Sequence, residues 1–97
     1  MARYAFIACY MLANRKNGTL YVGVASDLRR RMDQHAAGGG SAFAARYGCR
    51  RLVWYEPSPS MIDAIRTEKR LKSYPRAWKI NLIEAANPEW RDLKISL

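Results

Sequence analysis

Two short apolar segments separated by a polar turn lie near the start of the chain. Residues 5–13 are almost continuously apolar, which is typical of a strand that is covered on both faces. Residues 20–24 form the second segment, after Asn17-Gly18, a dipeptide that favours a two-residue hairpin turn because both residues tolerate positive φ. The pairs expected from this turn are Lys16 with Thr19, Leu12 with Gly23 and Tyr10 with Ala25.

This hairpin register directs Tyr10 and Tyr21 to the same face of the sheet, with Gly23 between them. A strand glycine that offers no packing often marks a place where another backbone or a ligand approaches closely. We therefore expect two phenols on either side of a shallow gap, with Gly23 in contact with the bound molecule.

A helix is predicted over residues 27–36, with Ser26 as its N-cap and the run 38–40, Gly-Gly-Gly, as its end. Its apolar stripe consists of Leu28, Met32 and Ala36.

Two side chains of this helix fall beside the apolar stripe and two point away from it. Arg31 and His35 lie at the boundary with the sheet, which indicates either a functional pair or a snorkelling arginine and an ordinary hydrogen-bonded histidine. Arg29 and Arg30 are directed to solvent, as phosphate contacts or as simple surface charge.

The second half of the chain predicts one more strand, over residues 51–56, and a helix over residues 61–73 with Ser60 and Asp63 as a capping box. Glu68 falls on the inward stripe of that helix. An inward carboxylate requires either a metal ion or a cationic partner, and the pattern leaves both open. The stripe is Met61, Ala64, Ile65 and Leu71.

A last helix is predicted from Pro75, with a stripe formed by Trp78, Leu82 and Ala85 and with Asn81 beside it. Residues 41–50 are expected to form a loop or a short helix that exposes Arg46 and Tyr47, as the wall of a basic groove or as ordinary surface. The elements together predict an α/β (α+β) fold in one domain over residues 1–97: a small, mostly antiparallel three-stranded sheet, built from the hairpin and a third strand and flanked by helices.

The charge balance points to a polyanionic partner. The chain has 97 residues with 17 Lys and Arg against 8 Asp and Glu, a net charge of +9, which favours nucleic acid as the partner. A membrane partner is not expected, since no segment is long or amphipathic enough. Cys9 and Cys49 have no metal-ligand spacing, and two buried thiols fit a cytoplasmic protein.

The motifs taken together resemble those of the GIY-YIG nuclease domain, and in particular the small stand-alone bacterial members similar to the N-terminal nuclease domain of the bacterial excinuclease. The matching stretches are "CYML", "LYVGVASDLRRRMDQH", "AIRTEKRLKSYPRAWKINLI" and "NPEWRDL". The chain departs from the pattern at the first motif, where "ACY" replaces "GIY" and only the tyrosine is kept.

The resemblance implies a metal-dependent endonuclease that hydrolyses phosphodiester bonds in DNA, in the repair or processing of structured DNA. It implies one ion, Mg²⁺ or Mn²⁺, on Glu68. The catalytic residues that it implies are Tyr10, Tyr21, Arg31 and His35. The nucleic-acid contacts expected are Gly23, Arg29, Arg30, Arg46, Lys69 and Asn81.

Two other functions compete with the nuclease. A non-catalytic module could bind DNA or RNA, although such a module has no need of an inward glutamate. An accessory subunit could instead act through a protein partner, with exposed aromatic side chains near Tyr47 and Trp90 as the contact points.

Overall fold

Three antiparallel strands form a sheet that carries helices on both faces. The computed structural model describes residues 6–97, so residue 5 of the predicted first strand lies outside the described residues. The strands are β1 (Ala8–Ala13), β2 (Leu20–Ala25) and β3 (Arg51–Pro57). The helices are α1 (Leu28–Ala36), α2 (Ala42–Arg46), α3 (Met61–Ser73), α4 (Arg76–Ala86) and a 3₁₀ turn, η1 (Leu93–Ser96).

The strand order is β2-β1-β3, with β1 in the centre and antiparallel to both neighbours. All six residues of β1 are buried, as expected for a strand that is covered on both faces. This arrangement confirms the predicted fold class, a three-stranded antiparallel sheet flanked by helices.

The hairpin register differs from the prediction by two residues. Tyr10 pairs with Gly23 instead of Ala25, because the turn is a wider one in which the amide of Gly18 donates to the Arg15 carbonyl at 3.0 Å. Asn17 has φ of 58° in this turn. A shift of two residues keeps every side chain on its predicted face, so Tyr10 and Tyr21 still share one face.

A side-chain contact explains the wider turn. The Oδ1 atom of Asn14 accepts a hydrogen bond from the amide of Thr19 at 2.9 Å and closes the loop across its base. This oxygen occupies the space where a Cβ at position 18 would lie, so Gly18 is needed for its lack of a side chain.

The two faces of the sheet bury separate apolar clusters. The face that carries Tyr10 and Leu12 packs against Leu28 and Met32 of α1 and Ala44 of α2, and we call it the α1 face. The opposite face, the α3 face, packs against α3, α4 and the segment after α4. Its buried members include Cys9, Met11, Val22, Leu71, Ile83 and Trp90.

Several details of α1 and α3 differ from the predicted pattern. The N-cap of α1 is Asp27, one residue after the predicted Ser26, and its carboxylate accepts from the amide of Arg30. Ala36 is exposed and His35 takes the third inward position, since residues 28, 32 and 35 share a helical face. In α3 the buried positions are Ala64, Thr67 and Leu71, whereas Ile65 is exposed.

Two of the three stripe positions predicted for the last helix are wrong, whereas Leu82 is partly buried and packs against the core of the α3 face as expected. Trp78 is 55% exposed and Ala85 is exposed, because α4 turns Ile83 into the core instead. The sequence also places Trp90 among exposed contact points, but it is fully buried and its indole nitrogen donates to Glu84 Oε2 at 2.9 Å.

Candidate functional site

A buried hydrogen bond joins the central strand to the first helix. The hydroxyl of Tyr10 lies 2.9 Å from Nε2 of His35. Tyr10 is fully buried and His35 is 4% exposed. Burial of two polar groups is tolerated here because each is the hydrogen-bond partner of the other.

Two glycines make room for this pair. A Cβ at Gly23 would lie 2.8 Å from the phenol carbon Cζ and hydroxyl of Tyr10 and 2.9 Å from a ring carbon of Tyr21. A Cβ at Gly40 would lie 2.6 Å from the imidazole of His35. Gly23 is itself buried, so the space that it leaves is filled by Tyr10, and the expected direct contact between Gly23 and a bound molecule is not supported by this packing.

Burial keeps both members of the pair neutral near pH 7. The pKa of His35 is lowered, mainly by burial and further by the charges of Arg31 and Lys94. The pKa of Tyr10 is raised well above its usual value by burial and by Tyr21, and the guanidinium of Arg31 opposes that rise. The phenol therefore donates to Nε2, or a protonated Nε2 donates to the phenol oxygen, according to the tautomer.

Tyr21 is the accessible phenol of the cluster. Its ring lies 6.1 Å from that of Tyr10 and 5.6 Å from that of His35, measured between centroids. Tyr21 is only partly buried, in contrast to Tyr10. A molecule that arrives from solvent therefore meets Tyr21 before it meets Tyr10.

Arg31 lies at the outer edge of β2. Its Nε donates to Gln34 Oε1 at 2.9 Å and its Nη1 donates to the Val24 carbonyl at 3.4 Å. These contacts hold the guanidinium beside a cavity of about 180 Å³. The cavity is lined by Ser26, Asp27, Arg30, Arg31 and Gln34.

Glu68 lies apart from the tyrosine and histidine pair, toward the α3 face. Its side chain is 20% exposed and its Oε2 is 3.0 Å from Nζ of Lys72. Within residues 6–97 it makes no hydrogen bond or ion pair with Tyr10, Tyr21, Arg31 or His35.

A link between Glu68 and Arg31 runs through one strand pair. Burial, followed by the charge of Glu68, raises the pKa of Cys9 to about 12, so this carboxylate lies near Cys9. Cys9 pairs with Val24, whose carbonyl accepts from Arg31. Glu68 and Arg31 therefore lie near the two members of one cross-strand pair, Cys9 and Val24.

Glu68 can supply one carboxylate ligand to a weakly held divalent ion, but the described residues around it do not form a complete metal site. No three His, Cys, Asp or Glu side chains lie together in a ligand arrangement anywhere in residues 6–97. Magnesium is often held by one or two carboxylates with substrate phosphate and water. The single carboxylate of Glu68 is compatible with that mode.

The remaining predicted contacts lie on the surface at separate places. The guanidinium of Arg29 lies 5.0 Å from the Phe6 ring centroid, and that of Arg46 lies 5.5 Å from the Tyr47 ring centroid. Arg30 is exposed beside the Arg31 cavity. Lys69 and Asn81 are exposed on α3 and α4, and neither forms a hydrogen bond or ion pair with the tyrosine and histidine cluster in the part of the chain that is described.

The sequence patterns do not indicate three residues that shape this region. Phe43 stacks on Tyr21 with centroids 6.3 Å apart, and its spacing of four residues from Tyr47 is the signal that could have indicated it. Gly40 leaves space for the imidazole of His35, and the charge of Lys94 helps to lower the pKa of His35. Both effects depend on tertiary contacts that no local sequence pattern indicates.

None of the helices within residues 6–97 has the length and apolar character needed to cross a bilayer. This finding concerns the described helices alone.

Comparisons with known proteins point to one family. A family model described as the GIY-YIG catalytic domain matches residues 6–81. A UPF0213 protein of Pseudomonas aeruginosa strain UCBPP-PA14 is 36% identical over 72 residues, which cover 74% of this chain and 69% of the relative. A UPF0213 protein of Sodalis glossinidius is 35% identical, with 74% and 67% covered.

A solved structure is also similar. It is the solution NMR structure of a UPF0213 protein from Bacillus halodurans, with 33% identity and a TM-score of 0.51. The match covers 81% of this chain and 83% of that one. The chain therefore belongs to the GIY-YIG family of nuclease domains, among the small proteins of the UPF0213 group.

Proposed function

We propose that this chain is a divalent-metal-dependent endonuclease that hydrolyses phosphodiester bonds in DNA. The observation that carries the proposal is the buried hydrogen bond of 2.9 Å between Tyr10 and His35, with Tyr21 and Arg31 beside it. The net charge of +9 favours a polyanionic substrate.

Phosphodiester hydrolysis requires three things of the protein. An attacking water must be positioned in line with the leaving oxygen, the charge on the phosphoryl oxygens must be neutralised, and protons must be moved between the water and the leaving group. The four side chains supply groups suited to each requirement.

Tyr21 and Arg31 are the members of the cluster that meet the phosphate in this proposal. Both are partly exposed, and the guanidinium can pair with two non-bridging phosphoryl oxygens in its planar fork. The hydroxyl of Tyr21 can orient the attacking water or hold the phosphate through a hydrogen bond.

In this proposal Tyr10 and His35, which lie on the buried side of Tyr21, accept and return the proton that is transferred during the reaction. A phenol with a raised pKa is a poor base by itself, so a proton acceptor must assist it. Neutral His35, whose pKa is lowered, is such an acceptor at the required distance. The positive charge of Arg31 favours the ionised form of the neighbouring phenol during the reaction.

Glu68 would hold the single Mg²⁺ or Mn²⁺, with water and substrate phosphate as the other ligands. When bound, the ion would neutralise charge on the phosphoryl group and stabilise the leaving oxygen. Lys72 would then exchange its ion pair with Glu68 for contact with solvent or phosphate, which its 55% exposure permits.

One observation favours a second candidate, a nucleic-acid-binding module without catalysis. The carboxylate of Glu68 already has a cationic partner 3.0 Å away, so the ion pair satisfies it without a metal. A pure binder would keep the basic surface and the arginines and would not need an ion.

A cleavage assay separates the two candidates. The purified protein is incubated with duplex, nicked, flapped, branched and single-stranded DNA in Mg²⁺, Mn²⁺ or EDTA, beside Glu68→Gln and the control Glu89→Gln, an exposed glutamate outside the site. Metal-dependent products from the wild type and Glu89→Gln, absent with Glu68→Gln, support the nuclease. Binding without products in any metal contradicts it.

A further inference from the structure

A row of aromatic rings runs from the candidate site to the protein surface. Tyr21 stacks on Phe43 with ring centroids 6.3 Å apart and an interplanar angle of 27°. Phe43 in turn lies 4.8 Å from Tyr47. Tyr21 therefore connects the buried pair to two further rings on α2.

The outer two rings contribute little to the core. Phe43 is 46% exposed and Tyr47 is 44% exposed, and Ala44 is the buried residue of the five-residue helix α2. A single exposed aromatic side chain is ordinary, but two in contact beside a catalytic phenol form a contiguous apolar surface. The described fold leaves much of that surface open to solvent.

The charge around these rings suits a nucleic acid. The guanidinium of Arg46 lies 5.5 Å from the centroid of the Tyr47 ring. Residues 36–55 include three arginines, Arg46, Arg50 and Arg51, and no Asp or Glu. Aromatic rings that alternate with arginines are the combination that binds single-stranded nucleic acids, by stacking on bases and by attraction to phosphates.

Building on the proposed function, we propose that Phe43 and Tyr47 form a stacking platform for an unpaired nucleobase next to the scissile phosphate, so that the preferred substrate is single-stranded DNA. In a duplex both faces of each base are covered by its neighbours, whereas an unpaired base offers a free face to an aromatic ring. A base stacked on Phe43 lies next to Tyr21 in this arrangement, because the centroids of the two rings are 6.3 Å apart.

The test measures binding and stacking without cleavage. Short single strands that carry the fluorescent base 2-aminopurine, and duplexes of the same length, are titrated in EDTA with the wild type, Phe43→Ala, Phe43→Leu and Tyr47→Ala. Trp78→Ala is the matched control, since Trp78 is 55% exposed and packs on Tyr74, away from α2.

We expect the wild type to bind single strands at least about tenfold more tightly than duplexes and to quench the 2-aminopurine. The Phe43 and Tyr47 variants should each lose about tenfold in affinity for single strands, together with the quenching, whereas Trp78→Ala keeps both. Phe43→Leu retains apolar bulk on α2 without a ring, so it separates stacking from folding, and circular dichroism checks each variant.

Equal affinity for duplex and single strand, or unchanged quenching with Phe43→Leu, overturns the platform. The outcome is independent of the nuclease proposal. Stacking with no cleavage in Mg²⁺ or Mn²⁺ would contradict the nuclease and leave the platform supported. Cleavage of duplex and single strands alike, unaffected by Phe43→Leu, would support the nuclease and contradict the platform.

Discussion

The hydroxyl of Tyr10 and Nε2 of His35 are separated by 25 residues in the chain and by 2.9 Å in the fold. This hydrogen bond joins the central strand to the first helix inside the core. Both groups are neutral there, because burial lowers the pKa of the histidine and raises that of the phenol. A site based on this pair is therefore sensitive to any change that charges the imidazole.

Acid should destabilise the protein through His35. The pKa of His35 is lowered from its ordinary value of 6.5 in the folded chain, so between those two values the unfolded chain binds a proton that the folded chain does not. The free energy of unfolding contributed by this group is complete above pH 6.5 and decreases as the pH falls toward the lowered value. Urea denaturation at pH 8, 7, 6 and 5 measures the effect.

The variant His35→Gln isolates this contribution, since the chain contains one histidine. Carboxylates titrate alike in both proteins, so the difference between their pH dependences above about pH 5 belongs to the imidazole. If wild type and His35→Gln lose stability in parallel from pH 7 to pH 5, the lowered pKa is contradicted.

Tyr21→Phe should remove most cleavage activity and leave the fold intact. The change deletes one hydroxyl from a partly exposed ring, whose contacts with Phe43 and His35 remain. We expect a loss of roughly 10² to 10⁴ in kcat, the range for a group that positions or transfers a proton. Tyr74→Phe, on the opposite side of the sheet, should retain full activity, and activity in Tyr21→Phe equal to that control would exclude the proposed role.

Arg31→Lys should also reduce cleavage strongly, although the charge is conserved. The guanidinium donates to Gln34 and Val24 from two different nitrogens and keeps further donors for a phosphate, whereas an ammonium is a point charge without that planar fork. We expect kcat/KM to fall at least about tenfold, and single-turnover assays will show it. Arg66→Lys, at an exposed arginine of α3, is the control that should cleave normally.

The shared face of the two phenols could be predicted from the sequence, although the hairpin register could not. Strand side chains alternate, so any even shift in pairing leaves Tyr10 and Tyr21 together. The size of the shift depends on the bond from the Thr19 amide to the Asn14 side chain, a choice between turn geometries that the Asn17-Gly18 signal does not decide. Helical spacing likewise predicts that Arg31 and His35 face the sheet, and both do.

Tertiary packing decides the features that the apolar pattern of the sequence could not predict. The last helix carries apolar residues on several faces, so Trp78 and Ile83 are equally able to face the core until α4 is placed against the sheet. Glu68 shows the same limit: helical spacing predicts its partly buried position but cannot choose between a metal ion and Lys72 as its partner. The ion pair is observed, and the metal remains a proposal.

Metal binding should depend strongly on nucleic acid. Glu68 supplies one carboxylate that is already paired with Lys72, so we expect calorimetry with Mn²⁺ alone to give a Kd no tighter than about the millimolar range, characteristic of weak, incompletely built oxygen sites. Addition of single-stranded DNA, with all proteins carrying the cleavage-deficient Tyr21→Phe change, should tighten binding, because the DNA phosphate completes the ligands. Glu68→Gln should abolish that gain while Glu89→Gln preserves it, and a tight Mn²⁺ site without DNA would contradict the shared-ligand arrangement.

Gly23→Ala tests whether the site depends on the close approach of Tyr10 to the edge strand. The added methyl carbon would lie 2.8 Å from the phenol end of Tyr10 and 2.9 Å from the ring of Tyr21, so both rings must move. Tyr10 is fully buried and bonded to His35, which leaves little freedom for that movement. We expect the variant to lose about 1–3 kcal/mol in the free energy of unfolding, the usual cost of overpacking a core, and to lose activity with it.

The matched control for that change is Gly39→Ala, where the nearest atom is the Gln34 carbonyl oxygen at an ordinary 3.7 Å. Gly39 is exposed, so its variant should stay within about 0.5 kcal/mol of the wild type. Thermal and urea denaturation of the two variants measure the difference. Equal stability of Gly23→Ala and Gly39→Ala, with the Tyr10 to His35 contact still visible by NMR, would contradict this prediction. It would show that the rings of Tyr10 and Tyr21 can accommodate a methyl group at position 23 and that their positions do not depend on Gly23.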